Sequence, residues 1–343
     1  MIISRTPFRI SFFGGGTDYP TWFQKHGGCV ITSSINKYCH ISARYLPPFF
    51  EKRNRIVWSK IEQVDSVEEI QHPAVRAGLQ FLDISEGVEI HHDGDLPARS
   101  GLGSSSAFTV GLLHALYGLK GVMASKSRLA DEAIHVEQNL LQEAVGVQDQ
   151  IQVAHGGLNL IDIRHDGTYQ VRPVILPRER LLELRSHMML YFTGISRFAS
   201  EIAQSQVAAI PAKTRELKAM AKLVDDALGV LTGSGPLDDF GTLLHESWLL
   251  KRGLTDKISN GTVDDIYGTA RQAGALGGKL LGAGGGGFML IFARPGEQPG
   301  IRKALHGLLE IPFEFEFAGT QIIYCENGAA LASAPSINRT VQG

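Results

Sequence analysis

The twelve residues Leu96-Pro97-Ala98-Arg99-Ser100-Gly101-Leu102-Gly103-Ser104-Ser105-Ser106-Ala107 constrain the fold of this chain more than any others. Pro97 and Gly101 end the strand-like run Val88-Glu89-Ile90-His91. From Phe108 onward the apolar residues Phe108, Leu112, Ala115, Leu116 and Leu119 recur at helical spacing as far as Gly121. A strand, a glycine turn and a helix start therefore meet here. The first-turn N–H groups of such a helix lack intrahelical acceptors, and its dipole places roughly half a positive charge beside them. Gly101 and Gly103 let a ligand approach that backbone closely, so an anion such as a phosphate is the natural occupant. A plain serine-rich helix cap uses the same residues, and the segment alone leaves both readings open.

The rest of the chain narrows the partners. At 343 residues, 43% hydrophobic and 20% charged, it has the length of two globular domains. A formal net charge of −2 excludes the basic excess expected of a nucleic-acid or anionic-membrane binder. Three cysteines (Cys29, Cys39, Cys325), odd in number and without CxxC spacing, point to a reducing, cytoplasmic setting rather than a disulfide framework or a zinc site. Apolar runs such as Phe288-Met289-Leu290-Ile291-Phe292-Ala293 are far too short for a membrane span, and no targeting segment is expected.

Strands are expected over Ile2–Thr6, Phe8–Phe13, Cys29–Ile35 and Tyr38–Tyr45, then over Gly157–Ile163, Gln170–Leu176 and Met188–Phe192. Leu129, Ala133, Val136 and Leu140 predict a helix over Ser127–Gln142. Longer helical patterns cover Ala199–Val230, Phe240–Lys251 and Val263–Ala273, and a last strand pair covers Phe313–Phe317 and Gln321–Tyr324. The division falls near Pro177 to Leu184, which gives domains 1–182 and 183–343, both α+β.

Two further glycine clusters bracket the chain: Gly14-Gly15-Gly16, followed by Thr17-Asp18, and Gly282-Ala283-Gly284-Gly285-Gly286-Gly287. In the strand before the first cluster, alternation sets Arg9 on the face opposite Phe8 and Ile10, where it can point into a polar site or into solvent. The second cluster satisfies the Gly-x-Gly-x-x-Gly dinucleotide fingerprint. A strand rather than a helix follows it, however, which disfavours an NAD-dependent oxidoreductase. Glu137 lies toward the apolar face of its helix, so a lysine, an arginine or a metal must meet it. Asp149, in Gly146-Val147-Gln148-Asp149-Gln150, reads as a loop acid just past that helix.

The cradle segment, with Phe13-Gly14-Gly15-Gly16-Thr17-Asp18 before it and Gly278-Lys279-Leu280-Leu281-Gly282 after it, resembles the three ordered motifs of the galactokinase, homoserine kinase, mevalonate kinase and phosphomevalonate kinase (GHMP) superfamily. It is not a Walker A loop. The resemblance implies a two-domain GHMP kinase fold: an N-terminal ATP-binding α/β domain with a left-handed βαβ unit, and a C-terminal ferredoxin-like α+β domain. It implies ATP bound by Pro97, Ser100, Gly101, Leu102, Gly103, Ser104, Ser105 and Ser106, with Mg²⁺ held by Ser105 and Glu137. Asp149 is then the catalytic carboxylate, assisted by Arg9. The acceptor falls to Gly15, Gly16, Thr17, Asp18, Lys37, Arg197, Gly284, Gly285 and Gly286, with Lys251 and Arg252 as further basic candidates. Within the superfamily, Ile35-Asn36-Lys37-Tyr38, Phe192-Thr193-Gly194-Ile195-Ser196-Arg197 and His245-Glu246-Ser247-Trp248 are most similar to the heptose 7-phosphate kinase branch. The expected reaction is phosphorylation of the anomeric hydroxyl of a small-molecule sugar phosphate on the way to GDP-heptose. Fucose 1-kinases share much of this pattern, and a non-catalytic sugar-nucleotide sensor on the same scaffold is the remaining alternative.

Overall fold

The computed structural model describes residues 1–98, 100–194 and 199–326. Its first sheet is built on an antiparallel pair, β1 (Ile2–Phe13) and β2 (Gly28–Tyr45), joined through a short helix α1 (Pro20–His26). Four short strands were expected where these two long ones stand. Pro7, which has no N–H to give a ladder, is accommodated at a register shift between Pro7 and Phe8, so the strand does not end there. The chain continues through β3 (Asn54–Val57), β4 (Ile61–Val64), α2 (Pro73–Phe81) and β5 (Val88–Gly94). β5 pairs with the second half of β2, and β3 runs parallel to β5.

Helix α3 (Ser104–Leu119) lies on β1 and β2, and its sides are covered by α2, α4 (Lys126–His135) and α5 (Gln148–His155). That position explains its composition: Ala107, Val110, Leu112, Leu113, Ala115 and Leu116 are fully buried all round the helix rather than along one stripe. The helix expected over Ser127–Gln142 changes character at Val136, where one π turn spans Val136–Leu140. β6 (Leu158–Ile163) then pairs with the first half of β2, and β7 (Tyr169–Pro173) with β6.

The second sheet follows α6 (Arg178–Ser186). It comprises β8 (Met188–Phe192), then, after the helices α7 (Ala199–Ala209), α8 (Thr214–Thr232), α9 (Asp238–Arg252) and α10 (Gly261–Gln272), β9 (Gly277–Leu280) and β10 (Phe288–Phe292). Helix α11 (Gln298–Ala304) leads to β11 (Leu309–Glu310), and the spatial order β11-β8-β10-β9 is antiparallel throughout. A fourth-first-third-second order with this connectivity is the ferredoxin-like arrangement. The helical pattern expected over Ala199–Val230 is interrupted by a 3-10 turn at Ile210–Ala212, because Pro211 cannot continue α7.

The last strands, β12 (Phe315–Glu316) and β13 (Gln321–Cys325), return to the first sheet on β2 and β1. A cut after residue 182 falls inside α6 and leaves these strands on the other side of it. Phe240 of α9 meets Phe12 and Phe13 of β1 edge-on at ring distances of 5.7 and 5.1 Å and contacts Phe292 of β10 at 5.4 Å. One core thus ties the two sheets together and fixes the cleft between them. Among the described residues, no helix is long and apolar enough to cross a membrane.

Candidate active site

The turn into α3 is held from both sides. The Arg9 N–H of β1 donates to the Leu102 carbonyl at 2.9 Å, and the Phe288 N–H of β10 donates to the Ser100 carbonyl at 3.2 Å. Gly101 (φ +81°) is backed against the turn after β9, so closely that a Cβ built there would fall 2.4 Å from the Leu281 carbonyl oxygen. Gly103 (φ +73°) then caps α3, a conformation that favours glycine. Gly101, Gly103, Ser104, Ser105 and Ser106 line a cavity between the two sheets. Of the other residues expected at ATP, Pro97 is exposed and outside this lining, and Ser100 and Leu102 are buried behind it as supports.

On the cavity floor Arg9 and Asp149 form a fork-to-fork pair, with Nε to Oδ1 at 2.6 Å and Nη2 to Oδ2 at 2.5 Å. A second guanidinium arm, Nη1, donates to the Gly101 carbonyl at 2.6 Å and so ties the pair to the cradle. Asp149 is not the loop residue its sequence context predicted; it stands in the first turn of α5. Beside it, Asp18 is buried and accepts from the Gly16 N–H at 2.9 Å and the Gln148 side-chain amide at 3.0 Å. Burial first, and Asp149 second, push the Asp18 carboxyl above the usual range.

Two buried lysines from the second half of the chain complete the floor. Lys251 of α9 donates to the carbonyls of Leu280 and Gly282, and Lys279 of β9 donates to the Phe12 carbonyl at 2.8 Å. Burial pulls Lys251 down to about 7, with Arg9 adding to the effect. Lys279 is held well below the usual lysine range by burial, then by Lys251 and Arg9. Lys279 was not singled out from the sequence. The available signal was a lysine inside the otherwise small and apolar run Gly277-Gly278-Lys279-Leu280-Leu281.

Glu137 sits in the π turn, fully buried, and no lysine or arginine among the described residues pairs with it. Its Oε2 accepts from Ser106 Oγ at 3.0 Å and from the Gln150 amide at 2.5 Å. Oε1 has no well-aligned donor, since the nearby Thr109 hydroxyl is bonded to the Ser105 carbonyl. Burial, with the Glu143 charge adding to it, pushes this carboxyl up to about 7 despite the hydrogen bonds from Gln150 and Ser106. A buried carboxylate oxygen with spare acceptor capacity beside a hydroxyl and a phosphate cradle suits Mg²⁺, which binds one or two protein oxygens and leaves its other positions to phosphate and water. The helix phase turns Ser106 inward, where its hydroxyl touches Glu137, and leaves Ser105, the serine expected at the metal, exposed on the cavity wall.

The other expected acceptor residues divide. Gly15, Gly16 and Asp18 line the cavity, together with Ser11, Tyr19, Gln148 and Gln206, which the sequence had not marked. Thr17 is outside the lining. It is buried as a pin, with its hydroxyl donating to the Gly14 carbonyl at 2.7 Å and accepting from the Cys29 N–H at 3.1 Å. Gly284, Gly285 and Gly286 are also outside it. The Gly285 N–H donates to the Ile258 carbonyl at 2.9 Å and the Asn260 amide donates to the Gly285 carbonyl at 3.0 Å, so Gly282 and Ala283 face the cavity instead. Lys37 lies on β2 away from the cavity, and Arg252 pairs with Asp264 at 3.4 Å. Arg197 lies outside the described residues.

Comparison with known proteins bears on this arrangement. The family models described as "GHMP kinases N terminal domain" and "GHMP kinases C terminal" match residues 68–157 and 230–310. The D-glycero-alpha-D-manno-heptose 7-phosphate kinase of Campylobacter jejuni is 29% identical over 319 residues, covering 89% of this chain and 93% of that one. A bifunctional fucokinase/GDP-fucose pyrophosphorylase of Arabidopsis thaliana is 26% identical over 90% of this chain, which spans 31% of the larger protein. Among solved structures, a D-glycero-D-manno-heptose 1-phosphate kinase from Bacteroides thetaiotaomicron superposes with a TM-score of 0.77 at 22% identity, over 95% of this chain and 100% of that one.

Proposed function

Because the chain belongs to the GHMP kinases and is an ATP-dependent phosphotransferase of the sugar-kinase type, we propose that it phosphorylates the anomeric hydroxyl of D-glycero-α-D-manno-heptose 7-phosphate. The product is the 1,7-bisphosphate. The observation that carries the chemistry is the Arg9–Asp149 fork beside the α3 N-terminus. An anomeric hydroxyl is a weak nucleophile, and an oriented carboxylate that accepts its proton contributes on the order of 10²–10⁴ in rate. Asp149 is that base, and Arg9 fixes the plane of its carboxylate. Asp18, steadied by Gly16 and Gln148, accepts a hydrogen bond from another sugar hydroxyl. The first-turn N–H groups of α3 and the adjoining serines hold the nucleotide phosphates. As the sugar oxygen bonds to the γ-phosphorus, the bond to the β-phosphate oxygen breaks, ADP leaves, and the hydroxyl proton stays on Asp149. Glu137 and Ser106 would hold Mg²⁺. The ion would neutralise phosphate charge during transfer.

The choice of acceptor is supported by the Campylobacter jejuni relative, which matches along nearly its whole length. The test is Mg-ATP-dependent ADP release across a panel of heptose 7-phosphate, unphosphorylated heptose, mannose and L-fucose. The expected result is a kcat/KM for the heptose 7-phosphate at least tenfold above the others. An equal or higher kcat/KM for L-fucose would replace the acceptor and leave the proton transfer standing.

A further inference from the structure

We propose that Lys251 and Lys279 are the groups that contact the γ-phosphoryl of the nucleotide, and that Arg9 serves Asp149 instead. This rests on the phosphoryl-transfer reading above for the identity of the anion. Three of the five guanidinium N–H donors are taken, by Asp149 at Nε and Nη2 and by the Gly101 carbonyl at Nη1, and the arginine's charge is already matched by the Asp149 carboxylate, which is true of neither lysine. An ammonium group has three N–H donors. Among the described residues, Lys279 uses one on Phe12, and Lys251 uses two on Leu280 and Gly282. Donors therefore remain on both, and both side chains line the cavity.

Neither lysine has a carboxylate within ion-pair distance among the described residues, although 8% of Lys251 and 2% of Lys279 are all that solvent reaches. Buried ammonium groups satisfied only by carbonyls are unfavourable in an empty site. An entering anion reverses that balance. The pair also stands at the reacting end of the cavity rather than at its rim. The Gly282 carbonyl held by Lys251 belongs to a residue packed on the cradle, where a Cβ built on Gly282 would fall 2.4 Å from the Gly101 Cα. The charged groups that face the two lysines are Arg9 from β1, Asp18 from the loop after it, and Asp149 from α5. These are the groups around the transferring atoms. A phosphate at the far end of the sugar would lie away from them, which disfavours the lysines as its partners.

The test needs no sugar, so its failure is distinct from failure of the acceptor assignment. Mg·AMP-PNP and Mg·ADP are titrated calorimetrically into the wild type, Lys251→Met and Lys279→Met. The wild type binds AMP-PNP in preference to ADP. Each variant lowers that preference about tenfold, as loss of a charge-assisted contact predicts, and keeps ADP affinity within about threefold. Lys251→Arg retains part of the preference. A second measurement uses the wild type alone. At about pH 8 Lys251, which burial lowers to about 7, is largely neutral, and an anion that raises its pKa draws protons from buffer. AMP-PNP binding therefore takes up more protons than ADP binding, read from heats in buffers of different ionisation enthalpy. Folded variants with an unchanged AMP-PNP/ADP ratio overturn the proposal. So does equal proton uptake for the two nucleotides, which decides the matter if the variants do not fold.

Discussion

Gly146 and Asp18 are in direct contact: a Cβ built on Gly146 would lie 1.8 Å from Asp18 Oδ2 and 2.6 Å from its Cγ. The adjoining backbone is bonded as well, with the Val147 N–H donating to the Asp18 carbonyl at 3.1 Å. The loop after β1 and the start of α5 are thus docked to each other, and the docking sets Asp149 opposite Arg9. Gly146→Ala is expected to push this contact apart. The expected loss in kcat is at least about tenfold, the scale on which small misplacements of a reacting group act. Steady-state kinetics beside ATP titration check it, because the atoms a Gly146 side chain would meet belong to Asp18 and not to the cradle, so nucleotide affinity is expected to change little. Unchanged kcat would mean that the contact relaxes without moving Asp149.

The two cradle serines are expected to behave differently. Ser106 Oγ reaches Glu137 and Ser105 is exposed, so Ser106→Ala and Glu137→Gln each raise the Mg²⁺ concentration needed for half-maximal activity, by about fivefold or more, and Ser105→Ala does not. Activity measured against free Mg²⁺ at fixed ATP distinguishes them. A larger effect at Ser105 would return the metal to the residue first expected.

Stability should depend on pH through Lys251. Burial lowers its folded pKa to about 7 from an ordinary value near 10.5, so between these limits the unfolded chain binds more protons than the folded one. Folded-state stability relative to Lys251→Met therefore rises as pH increases from about 7 toward about 10.5, and is level below that window. Thermal melts of wild type and variant across pH 6 to 10, without nucleotide, check the sign. A difference that falls as pH rises would show that Lys251 is stabilised as a cation by a partner.

Much of this arrangement was legible because its signals are local. Gly101 and Gly103 mark a turn whatever surrounds them, and the helical spacing from Phe108 marks α3 behind it. Arg9 could be assigned a face from strand alternation alone. That Ser106 rather than Ser105 touches Glu137 could not be read, because it depends on the phase of α3 against a π turn whose register no periodicity announces. Asp149 read as a loop residue because α5 is short and its first turn carries polar residues. Lys279 was hidden for a different reason. β9 is buried on both faces, so alternation there does not say which side chain meets the cavity. The return of β12 and β13 to the first sheet is a long-range pairing, and the residues of those strands carry no mark of their partner.

Proton transfer from the acceptor hydroxyl to Asp149, held by Arg9, is the step on which the proposed reaction depends. It is tested most directly by the single-turnover rate of Asp149→Asn with saturating Mg-ATP and heptose 7-phosphate, with ATP affinity measured in parallel. The amide keeps the size of the carboxylate and removes its basicity. The expected rate is at least about 10²-fold below wild type, with ATP binding within about threefold. A rate within about threefold of wild type would contradict it and leave Asp149 as an anchor for Arg9 and the cradle.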